Sequence, residues 1–143
     1  MTGMGSVEAQ IILCDAAVAD PGGKVHMLGA GWSRMPSPTT PHAVVLLMKV
    51  PWDRANEQLP LTLELRDSDG RPVELQAAAG TARLGLQTAI EVGRPPGVVP
   101  GSSLDASMAF NVPALPLPAG RYEWHLEFAE QPFGIVFTVL QPR

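Results

Sequence analysis

Tyr122-Glu123-Trp124-His125-Leu126-Glu127-Phe128 alternates large apolar side chains with polar ones without interruption. In an extended strand that beat sets Tyr122, Trp124, Leu126 and Phe128 on one face. After Ala129-Glu130-Gln131-Pro132 the beat returns in Phe133, Ile135, Phe137 and Val139. The two runs read as an antiparallel β-hairpin with one heavily apolar side. Such a hairpin is not stable alone in water, so the rest of the chain must supply a covering layer.

Upstream, residues 8–15 form a short apolar run (Ile11, Ile12, Leu13, Cys14) that reads as a strand buried on both sides or at a sheet centre. Asp20-Pro21-Gly22-Gly23 is a turn signal, and residues 24–32 return as a second strand. Gly29 and Gly31 within it mark a bulge or a close backbone approach. Three prolines in residues 35–41 predict a stiff connection without a regular ladder. The continuous apolar run His42-Ala43-Val44-Val45-Leu46-Leu47-Met48 is the candidate central strand, ended by Pro51. Asp53 is placed to cap one helical turn through Asn56.

Leu61, Leu63 and Leu65 alternate with Thr62, Glu64 and Arg66, and Asp69-Gly70 supplies a tight turn. Val73, Leu75 and Ala77 then read as the return strand of a second hairpin. Ala77-Ala78-Ala79 is weakly β-prone, but Leu84, Leu86, Thr88 and Ile90 restore period two and favour strand. Residues 93–103 are irregular, and Leu104, Ala106, Met108, Phe110 and Val112 share one face of a further strand. The approach Pro118-Ala119-Gly120-Arg121-Tyr122 is of the kind in which a tyrosine stitches a sandwich corner.

Short strands with regular turn signals and no long helix predict an all-β protein. The expected architecture is a two-layer antiparallel β-sandwich of eight to nine strands, immunoglobulin-like or jelly-roll-like. Residues 1–7 read as a disordered leader or cloning remnant, and residues 8–143 as one domain. At 143 residues the chain suits one core that needs no disulfide or metal.

Charged residues are 17% of the chain, against about 25% in typical domains, which hints at surface covered by a partner. A net charge of -4 leaves no basic footprint for nucleic acid or anionic membrane. No stretch approaches a membrane span. One cysteine and no visible secretory signal predict a reducing, cytoplasmic setting.

Cys14-Asp15, the run Lys24-Val25-His26-Met27-Leu28-Gly29-Ala30-Gly31-Trp32, Val50-Pro51-Trp52-Asp53-Arg54-Ala55-Asn56 and Asp67-Ser68-Asp69-Gly70 carry a resemblance that covers most of the chain. With Gly93-Arg94-Pro95-Pro96-Gly97 and Pro118-Ala119-Gly120-Arg121-Tyr122, the chain resembles a family of small β-rich proteins of high-GC Gram-positive bacteria. That family, a domain of unknown function, implies a single compact domain and transfers no catalytic residue.

Candidate chemistry is sparse. Cys14 with His26 and Asp15 spells a nucleophile, base and orienting acid, but the apolar approach to Cys14 reads as a core thiol. The three histidines lack the close spacing of metal ligands. Glu123, His125 and Glu127 share a strand face that reads as solvated. Asp67-Ser68-Asp69-Gly70 reads as a turn, lacking the later ligands of a calcium loop. No phosphate-cradling, dinucleotide or serine-hydrolase motif occurs, so no enzyme, metal or cofactor is expected.

Interaction is the remaining reading. Trp32 and Trp52 sit at strand ends beside Pro-rich segments, where they either plug the core or stand in a groove with Arg34, Arg54 or Arg94. Val98 and Val99 lie in a proline-stiffened loop suited to a partner. The expected role is therefore a non-enzymatic interaction domain, self-associating as a homo-oligomer or docking another protein. The alternative is a small-ligand or carbohydrate-binding module using the two tryptophans.

Overall fold

The structure is a computed structural model, and it describes residues 5–77 and 80–142. The fold is all-β, with 56% strand and 2% helix. Twelve strands run in chain order: β1 Glu8–Cys14, β2 Ala16–Ala19, β3 Val25–Leu28, β4 Arg34–Met35, β5 His42–Val50, β6 Leu59–Asp67, β7 Glu74–Ala77, β8 Gly80–Arg83, β9 Gly85–Ile90, β10 Leu104–Val112, β11 Gly120–Phe128 and β12 Gln131–Val139. They form four sheets instead of the expected two, in the orders β1-β5-β10, β4-β12-β11-β6-β9, β2-β3 and β7-β8.

The organising hairpin is β11–β12, pairing Tyr122 with Phe137 and Leu126 with Phe133. Its turn is tighter than the four-residue reversal 129–132 suggests. Phe128 pairs with Gln131, and Ala129 and Glu130 alone make the reversal with φ of 49° and 68°. That is the type I′ geometry whose twist matches the strands it joins, here built without glycine. Next door, β6 pairs Leu65 with Trp124, Leu63 with Leu126 and Leu61 with Phe128. Three strands thus bring their apolar beats to one face, because the side-chain period is two on each.

β5 is central, as its unbroken apolar run requires: β1 lies on one side and β10 on the other. β1 is therefore an edge strand, not a sheet centre. Val44, Leu46, Met48 and Val50 of β5 join Leu61, Leu63, Leu65, Trp124, Leu126, Phe128 and Phe137 in one buried cluster. The opposite face of β5, through Ala43 and Val45, packs with Cys14 and Ala17 in a second, smaller cluster.

That second cluster exists because the first strand breaks at Asp15. The opening strand of residues 8–15 pairs with β5, and residues 24–32 pair, as β3, only with β2 just beyond it, in a separate ribbon. The ribbon folds back over the outer face of β5 and β10, where the Asn111 amide donates to Ala17 O at 3.0 Å. Gly29 follows β3 with φ +68°, and its missing Cβ leaves room for the Asp15 carboxylate.

Other expectations need correction. Val7, assigned to the leader, is buried in the main cluster at 2% exposure, because it is the first apolar side chain to reach the core; residues 1–4 lie outside the described residues. The one 3-10 turn among the described residues spans Trp52–Arg54 and begins after Pro51, with no side-chain cap, so Asp53 lies inside it and not before it. The turn at Asp67-Ser68-Asp69-Gly70 forms as expected, with the Asp67 carboxylate accepting from Asp69 N and Arg71 N. The return segment pairs with β6 briefly, through Asp67 N to Arg71 O, the Arg66–Pro72 bridge and Val73 N to Leu65 O, after which β7 pairs with β8 and β6 takes β9 as its neighbour. Residues 78–79 of the alanine run lie outside the described residues. Met35, placed in the unladdered connection, forms a short parallel pairing with Val139.

Candidate functional site

β5 ends in Pro51, whose ring terminates the ladder, and the chain turns at once into the 3-10 helix carrying Trp52. From the far side of the chain, the 91–103 segment brings Arg94 to this point. Its Nη2 and Nε donate to Trp52 O at 2.7 and 3.2 Å, and its Cζ lies 4.4 Å from the centre of a Trp52 ring. The guanidinium is thus stacked on the indole and fixed by its backbone at once. Nearby, Asn56 N donates to Val92 O and Arg54 forms a two-point pair with Glu57 at 2.9 and 3.2 Å. That pair raises the Arg54 pKa and lowers that of Glu57, through the shared hydrogen bond.

Val98 is half-buried against the main cluster, while Val99 is 70% exposed. Two grooves flank this end. One, of about 650 Å³, is lined by Val50, Pro51, Trp52, Asp53, Gly101 and Ser103 among others. The second, of about 500 Å³, runs between residues 90–95 and Asp105, Ala106, Ser107 and Met108 of β10. Trp52, Arg94 and the 91–103 segment are therefore one surface.

Trp32 and Arg34 are not part of it. Trp32 lies edge-on to His42, with ring centres 5.8 Å apart, at the opposite end of β5. A strand of β5's nine residues spans roughly 26 Å. The Trp32 indole N–H is buried without a partner among the described residues, and the ring, half-buried as Trp52 also is, packs against the main cluster. Arg34 is exposed on β4 beside Thr138. Trp52 has one face covered by Arg94, so the tryptophans do not form a joint platform for a flat ligand.

The chemical constellations do not assemble. Cys14 Sγ is buried and directed at the carbonyls of Ala16 and Ala43. Burial pushes its thiol above the ordinary range. His26 instead meets Asp20, Nε2 to Oδ2 at 2.8 Å, and that bond holds the Asp20 carboxyl below its usual value. His125 is less solvated than expected: Nε2 lies 2.9 Å from Glu127 and Nδ1 3.9 Å from Glu123. Among the described residues no group of His, Cys, Asp and Glu is arranged to hold a metal ion. No helix among them is long and apolar enough to cross a membrane.

Two surface features escaped the sequence reading. The β2–β3 ribbon turns Val18 and Leu28 outward at 61% and 73% exposure. The outer edge of β10 carries no paired strand among the described residues. Alternation could have flagged both strands, but exposure depends on which neighbours arrive.

No family model matches the chain, and no curated protein matches it. Among solved structures it is similar to a provisionally named ApaA protein of Bordetella pertussis, at 13% identity and a TM-score of 0.29, over 96% of this chain and 95% of that one. So low a score lends no argument about fold or function.

Proposed function

We propose that this chain is a non-enzymatic interaction domain that docks a protein, another or its own copy, at the end of the fold marked by Trp52, Arg94, Val98 and Val99. The observation that carries the reading is the Arg94 guanidinium held on Trp52 by both stacking and hydrogen bonds, next to an exposed Val99 and two grooves. A pre-ordered arginine and aromatic pair presents polar and apolar contacts at little entropic cost, which is what interface hot spots require. The covered face of Trp52 and the buried indole N–H of Trp32 favour protein docking over a carbohydrate platform.

The two-layer β-sandwich belongs to the same proposal, supported by the shared cluster between the two larger sheets. So do the cytoplasmic setting and the kinship with the small β-rich family of high-GC Gram-positive bacteria. The test is affinity capture from the native host with the wild-type chain and an Arg94→Ala, Val99→Asp double variant. A protein retained by the wild type and lost by the variant is the expected result. Identical retention by both would overturn the site.

A further inference from the structure

β10 is nine residues long and hydrogen-bonds to β5 along one side only. Its other side pairs with no strand among the described residues. Natural edge strands are blunted by brevity, proline, bulges or charge, because a long plain edge templates another strand. The other outer strands of the two larger sheets fit that rule or lie close to a neighbour. β4 has only two residues, β9 is shorter than β10 by three, and β1 draws close to β12 of the other large sheet, whereas β10 is approached by the β2–β3 ribbon over its outer face, through Asn111. β10 has no proline, and its one charge, Asp105, is engaged by Lys49 at 2.7 Å on the β5 side.

The side chains tell the same story. Ala106, Met108, Phe110 and Val112 point toward the main cluster yet stay only half-buried. One more strand beside β10 would finish covering them. The groove of about 500 Å³ runs along its first half, beside Arg94.

We infer that the occupant is a second copy of this chain, with β10 pairing antiparallel to the partner's β10 about a two-fold axis at Met108. This rests on the docking role proposed above and names its partner. The register keeps apolar residues with apolar ones, since an even register preserves the face of each side chain. Leu104 meets Val112, Ala106 meets Phe110, and Asp105 meets Asn111, whose amide gives one hydrogen to Ala17 O and keeps the second for the partner. No like charges face each other, so the strand is complementary to itself, as a two-fold contact demands. The two three-stranded sheets become one of six.

The experiment is sedimentation of the wild-type chain combined with oxidative cross-linking of Met108→Cys, with Leu28→Cys on the exposed ribbon as comparison. Paired Cα atoms in an antiparallel ladder lie about 4.5–5.5 Å apart, within disulfide reach. The expected result is a wild-type dimer, and a Met108→Cys cross-link forming roughly ten times faster than at Leu28→Cys. A wild-type monomer at hundreds of micromolar, on the order of ordinary assembly concentrations, overturns the inference. So does a dimer that cross-links through Leu28→Cys and not through Met108→Cys. A monomer whose Arg94 and Val99 variant still loses a captured protein defeats this inference alone. A monomer with no such loss defeats the docking role as well.

Discussion

The Trp124 indole N–H donates to His42 Nε2 at 3.2 Å, in the buried interior. Trp124 stands on β11 and His42 opens β5, so this one bond joins the two larger sheets. Around it lie Trp32 and Phe137, each with its ring centre about 6 Å from that of His42 (5.8 and 6.0 Å). An indole can only donate, which makes Nε2 the acceptor and places the neutral imidazole's proton on Nδ1.

Trp124→Phe keeps a large ring but leaves His42 Nε2 buried without a donor. The expected cost is about 1–3 kcal/mol. Urea unfolding should show a lower midpoint with an unchanged slope.

Burial holds the His42 pKa below its ordinary value of 6.5. The folded state therefore keeps His42 neutral where the unfolded chain takes a proton. Stability contributed by the neutral residue is complete above about pH 6.5 and falls as pH drops below it, levelling off once the folded state also protonates. Protonation also sets a second donor against the Trp124 N–H. Thermal unfolding from pH 7.5 to 5 should show this loss, and His42→Gln should flatten its share of it.

Tyr122 Oη donates to Pro118 O at 2.7 Å, closing the bend that leads into β11. Tyr122→Phe removes the donor with little change in packing, and should cost about 0.5–1.5 kcal/mol. Hydrogen exchange should quicken first at residues 118–122.

Gly85 opens β9 opposite Glu64, and a Cβ there would strike Leu63 O and the Glu64 backbone. Backbone cannot swing aside as a side chain can. Gly85→Ala should therefore destabilise by about 1–3 kcal/mol, whereas Gly85 restored by reversion recovers the wild-type melting curve.

Cys14 is fully buried, and burial raises its thiol pKa. A thiol reagent should leave the native chain unlabelled and react fully once the chain is unfolded in guanidinium. Fast native labelling would revive the Cys14 nucleophile.

Much of the fold was legible because period two is a local property. The beat of Tyr122, Trp124, Leu126 and Phe128, that of Leu61, Leu63 and Leu65, and the unbroken run of β5 each named a strand and its buried face. The corner tyrosine was legible too, since Gly120 and Tyr122 sit in a fixed local order. The end of the first strand at Asp15 was legible as well, but β2 beyond it was not, because Ala16-Ala17-Val18-Ala19 carries too weak an apolar beat to announce a strand. The Thr39 hydroxyl, which accepts from Leu115 N at 2.7 Å and donates to Leu115 O at 2.9 Å, ties two proline-rich connections that look featureless in sequence.

The candidate site divides in the same way. Residue types and loop composition picked out Trp52, Arg94, Val98 and Val99, but Trp32 was chosen by the same criteria and lies against His42 at the other end of β5. By itself, then, the sequence determined the all-β class, most strands and which face of each is apolar, because those follow from neighbours two residues apart. Only the tertiary structure decided which strands pair, that Arg94 lies on Trp52 while Trp32 lies against His42, and that β10 keeps an edge unpaired among the described residues. Those outcomes turn on contacts between segments tens of residues apart, where many partners satisfy the same alternation and the packing of the whole core selects one.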